Sequence, residues 1–277
     1  MSGYRYFSRF YDALTFNVDY AAQAKFFAGL IEEHTRRSVE LVLDLCCGTG
    51  SLSRELSGMG WEMICVDASP EMLSIAASKE YEKQPLFLCQ KAEELDLYGT
   101  IDACICALDS LNHLSGTSAL EAAIQKVSLF LAPGGVFVFD LNTEYKHRKV
   151  LDGNAYVYET QEVYCVWRNN CRADGSVEIT LDFFSAEADG SYTRYSEFFT
   201  EQLFSHQQVL EILGKTELEY LAVMGEGCHR RSKMTLNRRR ELTHENREVT
   251  LKTKRLGGAR YAKEWDNYED KRVGWGG

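Results

Sequence analysis

The feature that most constrains this chain is an alternation along residues 41–141. Five short apolar runs recur there: Leu41–Leu45, Glu62–Asp67, Leu86–Cys89, Ile101–Cys106 and Val136–Leu141. Helical stretches fall between them, at Leu52–Met59, after Ser69-Pro70, and at Ser118–Leu131, where Pro133-Gly134-Gly135 stops the helix. A short run that is apolar on both faces suits a strand covered on both sides, which is the situation of a parallel sheet. Strand and helix alternating five times predict a doubly wound, mostly parallel α/β sheet.

The flanks read differently. Aromatic and aliphatic residues at helical spacing, Phe10, Leu14, Ala24, Phe27, Leu30 and Ile31, predict two helices with a break near Asn17-Val18-Asp19. From Tyr156 to Phe199 the period falls to two, with turns at Asp174-Gly175 and Asp189-Gly190, so a small antiparallel sheet is inserted into the larger fold. A helix at Ser205–Leu213 and a sixth strand at Glu217–Val223 return to the core. The chain divides into a core with an N-terminal helical lid (1–141), an inserted lid over the acceptor (142–204), a return to the core (205–227) and a basic tail (228–277). The tail holds 14 Lys and Arg against 7 Asp and Glu, whereas the whole chain carries a net charge of −10. Few apolar residues offset its ordering entropy. It is therefore expected to be poorly ordered, with no seventh strand beside strand six and Glu248–Lys252 as the nearest candidate.

The chemistry concentrates where strand one ends, in Asp44-Leu45-Cys46-Cys47-Gly48-Thr49-Gly50, followed by Asp67 seventeen residues beyond Gly50. A glycine turn between strand and helix lets a ligand approach the backbone. An acid closing strand two can accept hydrogen bonds from both hydroxyls of a ribose. A nucleoside site follows. The dinucleotide fingerprint needs a third glycine, and Ser53 stands there instead, which disfavours a nicotinamide oxidoreductase. Asp44, placed before the turn, suits a ligand bearing an amino group or a positive charge better than a pyrophosphate. Each residue has a plainer alternative: Asp44 as a turn cap, Asp67 as a helix cap, Tyr11 as core, and His113, just past strand four, as packing rather than a general base. Tyr164, Trp167 and Phe184 are read as the core of the inserted sheet, with an acceptor-pocket lining as the second reading.

LDLCCGTG and VDASPEM, within Val42–Met72, resemble the cofactor motifs of class I S-adenosylmethionine-dependent methyltransferases. The resemblance covers about residues 4–225 and implies a Rossmann-like fold with S-adenosyl-L-methionine as cofactor. It implies that Asp44, Gly48 and Gly50 cradle the methionine part, that Asp67 binds the ribose, and that Ala68 and Met72 line the adenine with Ala92 and Glu93 at its edge. Leu108, Asp109 and Asn112 match the end of strand four, facing the reacting methyl. Tyr6-Phe7-Ser8-Arg9-Phe10-Tyr11-Asp12 is similar to a small-molecule subfamily in which a tyrosine closes over the cofactor; Tyr11 is the match and Tyr20 a second. Cys46 stands where many members have glycine. Methyl transfer from a sulfonium is an in-line displacement that needs alignment rather than a metal, and alignment is worth roughly 7–11 kcal/mol. Asp109 and His113 are the candidate catalytic residues.

An acidic body argues against nucleic acid as the main partner, so a small-molecule acceptor is expected, with no membrane partner and as a monomer or homodimer. No apolar run approaches a membrane span, and the first residues lack a signal-peptide core, so a cytoplasmic location is expected. The nine cysteines lack metal or redox spacing and read as small apolar groups, with no metal site expected. Two alternatives stay open: a cofactor-binding protein without turnover, and an RNA methyltransferase that uses the basic tail.

Overall fold

The computed structural model describes residues 4–226 and 231–238. Two helices open the chain, α1 (Phe7–Leu14) and α2 (Tyr20–His34). The break falls where the sequence predicts it, because Asp19 caps α2 by accepting a hydrogen bond from the Ala22 N–H at 2.9 Å. Five parallel strands follow: β1 (Leu41–Leu45), β2 (Glu62–Asp67), β3 (Leu86–Cys89), β4 (Ile101–Cys106) and β5 (Leu131–Asn142). They are joined in part by α3 (Ser51–Ser57), α4 (Pro70–Ser78) and α5 (Thr117–Phe130). Ser69 caps α4 and Pro70 occupies its first turn, as expected.

The inserted sheet consists of β6 (Ala155–Glu159), β7 (Val163–Cys171), β8 (Val177–Ala186) and β9 (Tyr192–Glu201), all antiparallel. The chain returns through α6 (His206–Leu213), opened by a capping box of Ser205 and Gln208, and β10 (Leu218–Glu226).

One expectation is corrected here. A seventh strand exists: β11 (Arg231–Arg238) inserts antiparallel between β10 and β5, giving the order β10-β11-β5-β4-β1-β2-β3. Backbone ladders on both sides hold it, so its low apolar content was a poor guide. Glu248–Lys252, and the expectation of disorder beyond Arg238, lie outside the described residues.

Alternation within the parallel strands divides the core into two layers. Leu43, Leu45, Phe137 and Phe139 face α5 and α6, while Val42, Ile105, Val136 and Val138 face α2 and α3. A third cluster joins Phe7, Phe10 and Leu14 of α1 to Cys165, Ile179, Leu181 and Phe183 of the inserted sheet. Trp167 packs against it. Tyr164 and Phe184 do not: they pair edge-on at 6.3 Å in a layer where Tyr164 is exposed, so neither is core.

Pro133-Gly134-Gly135 lies inside β5, where its pairing with β4 shifts register, and Gly135 has no room there for a side chain. A Cβ there would lie 2.5 Å from the Asp102 carbonyl oxygen and 2.9 Å from that of Ala132. Gly135→Ala is expected to cost about 1–3 kcal/mol, read from the midpoint of denaturant unfolding. Among the described residues, no helix is long and apolar enough to cross a membrane.

Candidate active site

The turn after β1 curls because alternate residues adopt left-handed backbone: Cys46 at φ 62°, Gly48 at 55° and Gly50 at 73°. Cys46 thus occupies a position that glycine takes without strain, which is the physical reason a glycine suits it. The curl brings the Gly48 N–H to Asp67 Oδ2 at 2.9 Å, while Asp67 Oδ1 accepts from the Ser69 N–H at 2.8 Å. Asp67 therefore ties two loops together and is not the cap of α4. Burial raises its pKa, opposed by the backbone N–H groups of Ser69, Gly48 and Ala68.

Asp44 is buried and accepts a hydrogen bond from Ser53 Oγ. Ser53, the residue that breaks the dinucleotide fingerprint, is itself fully buried. Burial pushes the Asp44 carboxyl up to about 7, with the nearby charge of Asp67 adding to the effect and the Ser53 hydroxyl opposing it. A carboxylate held out of water in this way favours a positively charged partner.

A cavity opens at the carboxyl ends of β1 and β4. Asp44, Gly48, Thr49 and Leu108 line it, roofed by Tyr11 of α1 and Tyr20 of α2. Asp67 borders it through Gly48. The structure thus gathers the predicted Tyr11, Tyr20, Asp44, Gly48 and Leu108 around one space. Ala68, exposed, follows β2, and Ala92 and Glu93 follow β3, which pairs with β2 through Asp67 and Cys89. The Met72 side chain is buried in the first turn of α4. That of Ala92 belongs to the core.

A second polar cluster adjoins the end of β4. Leu108 and Asp109 both have left-handed backbone, at φ 57° and 53°. The conformation is held by the Asp109 N–H donating to Asp140 Oδ1 at 2.9 Å and by Asn142 Nδ2 donating to Asp109 Oδ2 at 3.0 Å. The same Asn142 Nδ2 donates to Glu201 Oε2 at 2.6 Å. One ligand atom from each of Asp109, His113 and Glu201 lies within 4.8 Å of the others. His113 Nδ1 is buried and has no hydrogen-bond partner. Although burial opposes it, His147, His113 and Lys146 hold the Glu201 carboxyl at about 2, so it is ionised. Three such groups could ligate a cation. However, the Asn142 amide already bridges the two carboxylates, Lys146 Nζ lies 2.8 Å from Asn142 Oδ1, and His147 Nε2 lies 3.4 Å from Glu201.

Residues 42–135 match the family model described as a methyltransferase domain. A Bacillus subtilis protein named as a methyltransferase, YqeM, is 30% identical over 213 residues, covering 76% of this chain and 84% of that one. The structure of an S-adenosylmethionine-dependent methyltransferase from Clostridium acetobutylicum superposes with a TM-score of 0.74 at 29% identity, over 85% of this chain and 99% of that one. The sugar N-methyltransferase KedS8 from a Streptoalloteichus species gives a TM-score of 0.71 at 25% identity, over 80% of this chain and 89% of that one. This chain is a class I S-adenosylmethionine-dependent methyltransferase.

Asn112, expected beside the reacting methyl, is tied into the fold, and other residues near these sites carry no local sequence signal. Asn112 is fully buried and its amide is spent: Nδ2 donates to the Gln202 carbonyl at 2.7 Å and Oδ1 accepts from the Asn142 N–H at 2.9 Å. It joins the core to the end of β9. Tyr4, Asn142 and Glu201 had not been picked out. The Tyr4 hydroxyl is raised well above its ordinary pKa by burial and then by Asp67, Cys46, Glu201 and Asp109. Its ring lies edge-on to His113 at 6.1 Å and stacks on Phe199 at 5.7 Å.

Proposed function

We propose that this methyltransferase moves the methyl group of S-adenosylmethionine to the nitrogen of a small-molecule amine held by Asp109, His113 and Glu201. The observation that carries the reading is His113, clustered with two carboxylates and with a buried, unpartnered Nδ1, beside Tyr4, on which Asp67 of the proposed cofactor site also acts. The residues present fit the cofactor. Asp44 is poised for the ammonium of its methionine part and Asp67 for the ribose hydroxyls, while the turn N–H groups and the tyrosine roof enclose the space between. When bound, the cofactor supplies an electrophilic methyl on an already activated leaving group.

The protein's own work is then binding, proton removal and exclusion of water. An amine arrives as its ammonium and is attracted by the carboxylates of Glu201 and Asp109, which Asn142 Nδ2 already bridges. His113 Nδ1 takes one proton, which frees the nitrogen lone pair. The neutral amine would then be free to accept the methyl that a bound cofactor supplies, and His113 would pass its proton to solvent. The likeness to a sugar N-methyltransferase supports an amine over a hydroxyl acceptor. The RNA-directed alternative drew on the basic tail, yet Arg231–Arg238 serves as a sheet strand.

The test is an acceptor screen with isotope-labelled cofactor, comparing small primary amines with matched alcohols. Amines should be turned over and alcohols not. With a responsive amine, His113→Ala should lower kcat by about 10²–10⁴. Glu201→Gln should raise KM about tenfold through loss of one charged contact. Turnover of the alcohols alone, or a His113 variant with full kcat, would sink the assignment.

A further inference from the structure

Helix α1 stands between the two sheets, and it is fastened at both ends by side chains it does not own. Its N-terminus has no cap of its own. The Glu197 carboxylate, from the middle of β9, accepts from the Tyr6 N–H and from the Phe7 N–H at 3.0 Å, satisfying two of the donors that a helix start leaves open. Glu197 is 6% exposed and lies opposite Leu181 in an otherwise aromatic and aliphatic layer. Stacking seals this end: Phe7 on Phe183 at 5.9 Å and Tyr6 on Tyr195 at 4.7 Å. At the far end, Asp12 Oδ1 accepts from Thr49 Oγ1 at 2.5 Å and Ser51 Oγ at 3.2 Å, and Asp12 Oδ2 pairs with Lys79 Nζ at 2.7 Å. Thr49 and Ser51 flank Gly50 in the turn that borders the cofactor cavity. Between the anchors Tyr11 forms part of the cavity roof.

We propose that Glu197 and Asp12 suspend α1 as one strap, which makes Glu197 a positioning residue for cofactor retention although it belongs to the inserted sheet. Eight residues span only about 12 Å of helix, so neither end can lift without tilting Tyr11. Release at either anchor opens the roof. The consequence is coupling: whatever shifts β9, an acceptor included, alters how long the cofactor stays. The inference rests on the tyrosine-roofed cavity being the S-adenosylmethionine site.

The experiment measures release of labelled S-adenosylhomocysteine from the full chain, well below the unfolding temperature. Glu197→Gln keeps volume and one acceptor oxygen, and Glu197→Ala removes both. Each should speed release, by about tenfold for the alanine variant, the worth of a charge-assisted hydrogen bond. Asp12→Asn should do the same. The double variant Asp12→Asn/Glu197→Gln should release no faster than the faster single one, because a strap is already open once one end is free. In the unmodified protein, S-adenosylhomocysteine should slow hydrogen exchange of the 7–14 amides. Release within twofold of the unmodified rate in the Glu197 variants, rates that multiply in the double variant, or unchanged exchange at 7–14 would each overturn the strap. Failure of the unmodified protein to bind S-adenosylhomocysteine at all would instead overturn the cofactor site.

Discussion

Asp67→Ala is expected to weaken S-adenosylhomocysteine binding by about 10²–10⁴-fold while leaving a folded protein. The proposed contacts to two ribose hydroxyls are charge-assisted, each worth roughly 1.5–3 kcal/mol, and every 1.4 kcal/mol is about tenfold. A second loss adds to the first. Asp67 also accepts from Gly48 and Ser69, so its removal strands two N–H groups and loosens the turn proposed to hold the methionine part. The thermal midpoint should therefore fall slightly, while the sheet, whose ladder from β1 to β2 runs over five backbone pairs, persists. Asp67→Asn separates the two effects: it keeps a carbonyl oxygen for one N–H and loses the charge. It should retain more stability than the alanine variant and still bind poorly. Calorimetric titration with S-adenosylhomocysteine, paired with thermal unfolding, reads both. An alanine variant that binds as tightly as the unmodified protein would leave Asp67 a purely structural tie.

The parts of the fold that were legible in the sequence are those written in local spacing. Leu41–Leu45 followed by a glycine turn announces a buried strand and the bend after it, because apolar content and left-handed backbone are properties of adjacent residues. The cap at Ser69 and the hairpins at Gly175 and Gly190 are local in the same way. β11 was missed because its order comes from the ladders on either side, with β5 and β10, and not from its own apolar residues. The polar cluster at the end of β4 was legible in the sequence only through Asp109 and His113, for a related reason. Asp109, Asn142 and Glu201 come from the ends of β4, β5 and β9 and meet only in the folded chain, so no spacing records them. Asn112 lies past strand four as the family resemblance implies, but its ties to Gln202 and Asn142 are long-range and carry no sequence signal. Tyr4 sits in an aromatic-rich start where helical periodicity reads as core, and its polar end carries no separate signal.

Affinity for S-adenosylhomocysteine is expected to rise with pH up to about 7 and then level off, and Asp44 is the reason. Its carboxyl is pushed by burial from 3.8 to about 7 in the free protein. The folded state therefore holds a proton that the unfolded chain gives up near pH 4. The stabilisation from that proton is complete below about 4 and disappears as pH rises through about 7. A cofactor ammonium beside Asp44 reverses the preference, because an opposite charge favours the ionised form. Binding at pH 5–7 must then expel a proton, and affinity should improve by up to tenfold per pH unit in that window. The amino group of the ligand stays charged there, with an ordinary pKa above about 7.7, so it does not produce the slope. Titrations at pH 6 in two buffers of different ionisation enthalpy should differ by the heat of up to one released proton. Asp44→Asn, which keeps an acceptor for Ser53 Oγ, should bind weakly at every pH, show no slope and lose the stability decline between pH 4 and 7. If the unmodified protein binds equally well at pH 5 and 7 with no proton release, Asp44 does not face the ammonium, and its burial serves only the turn.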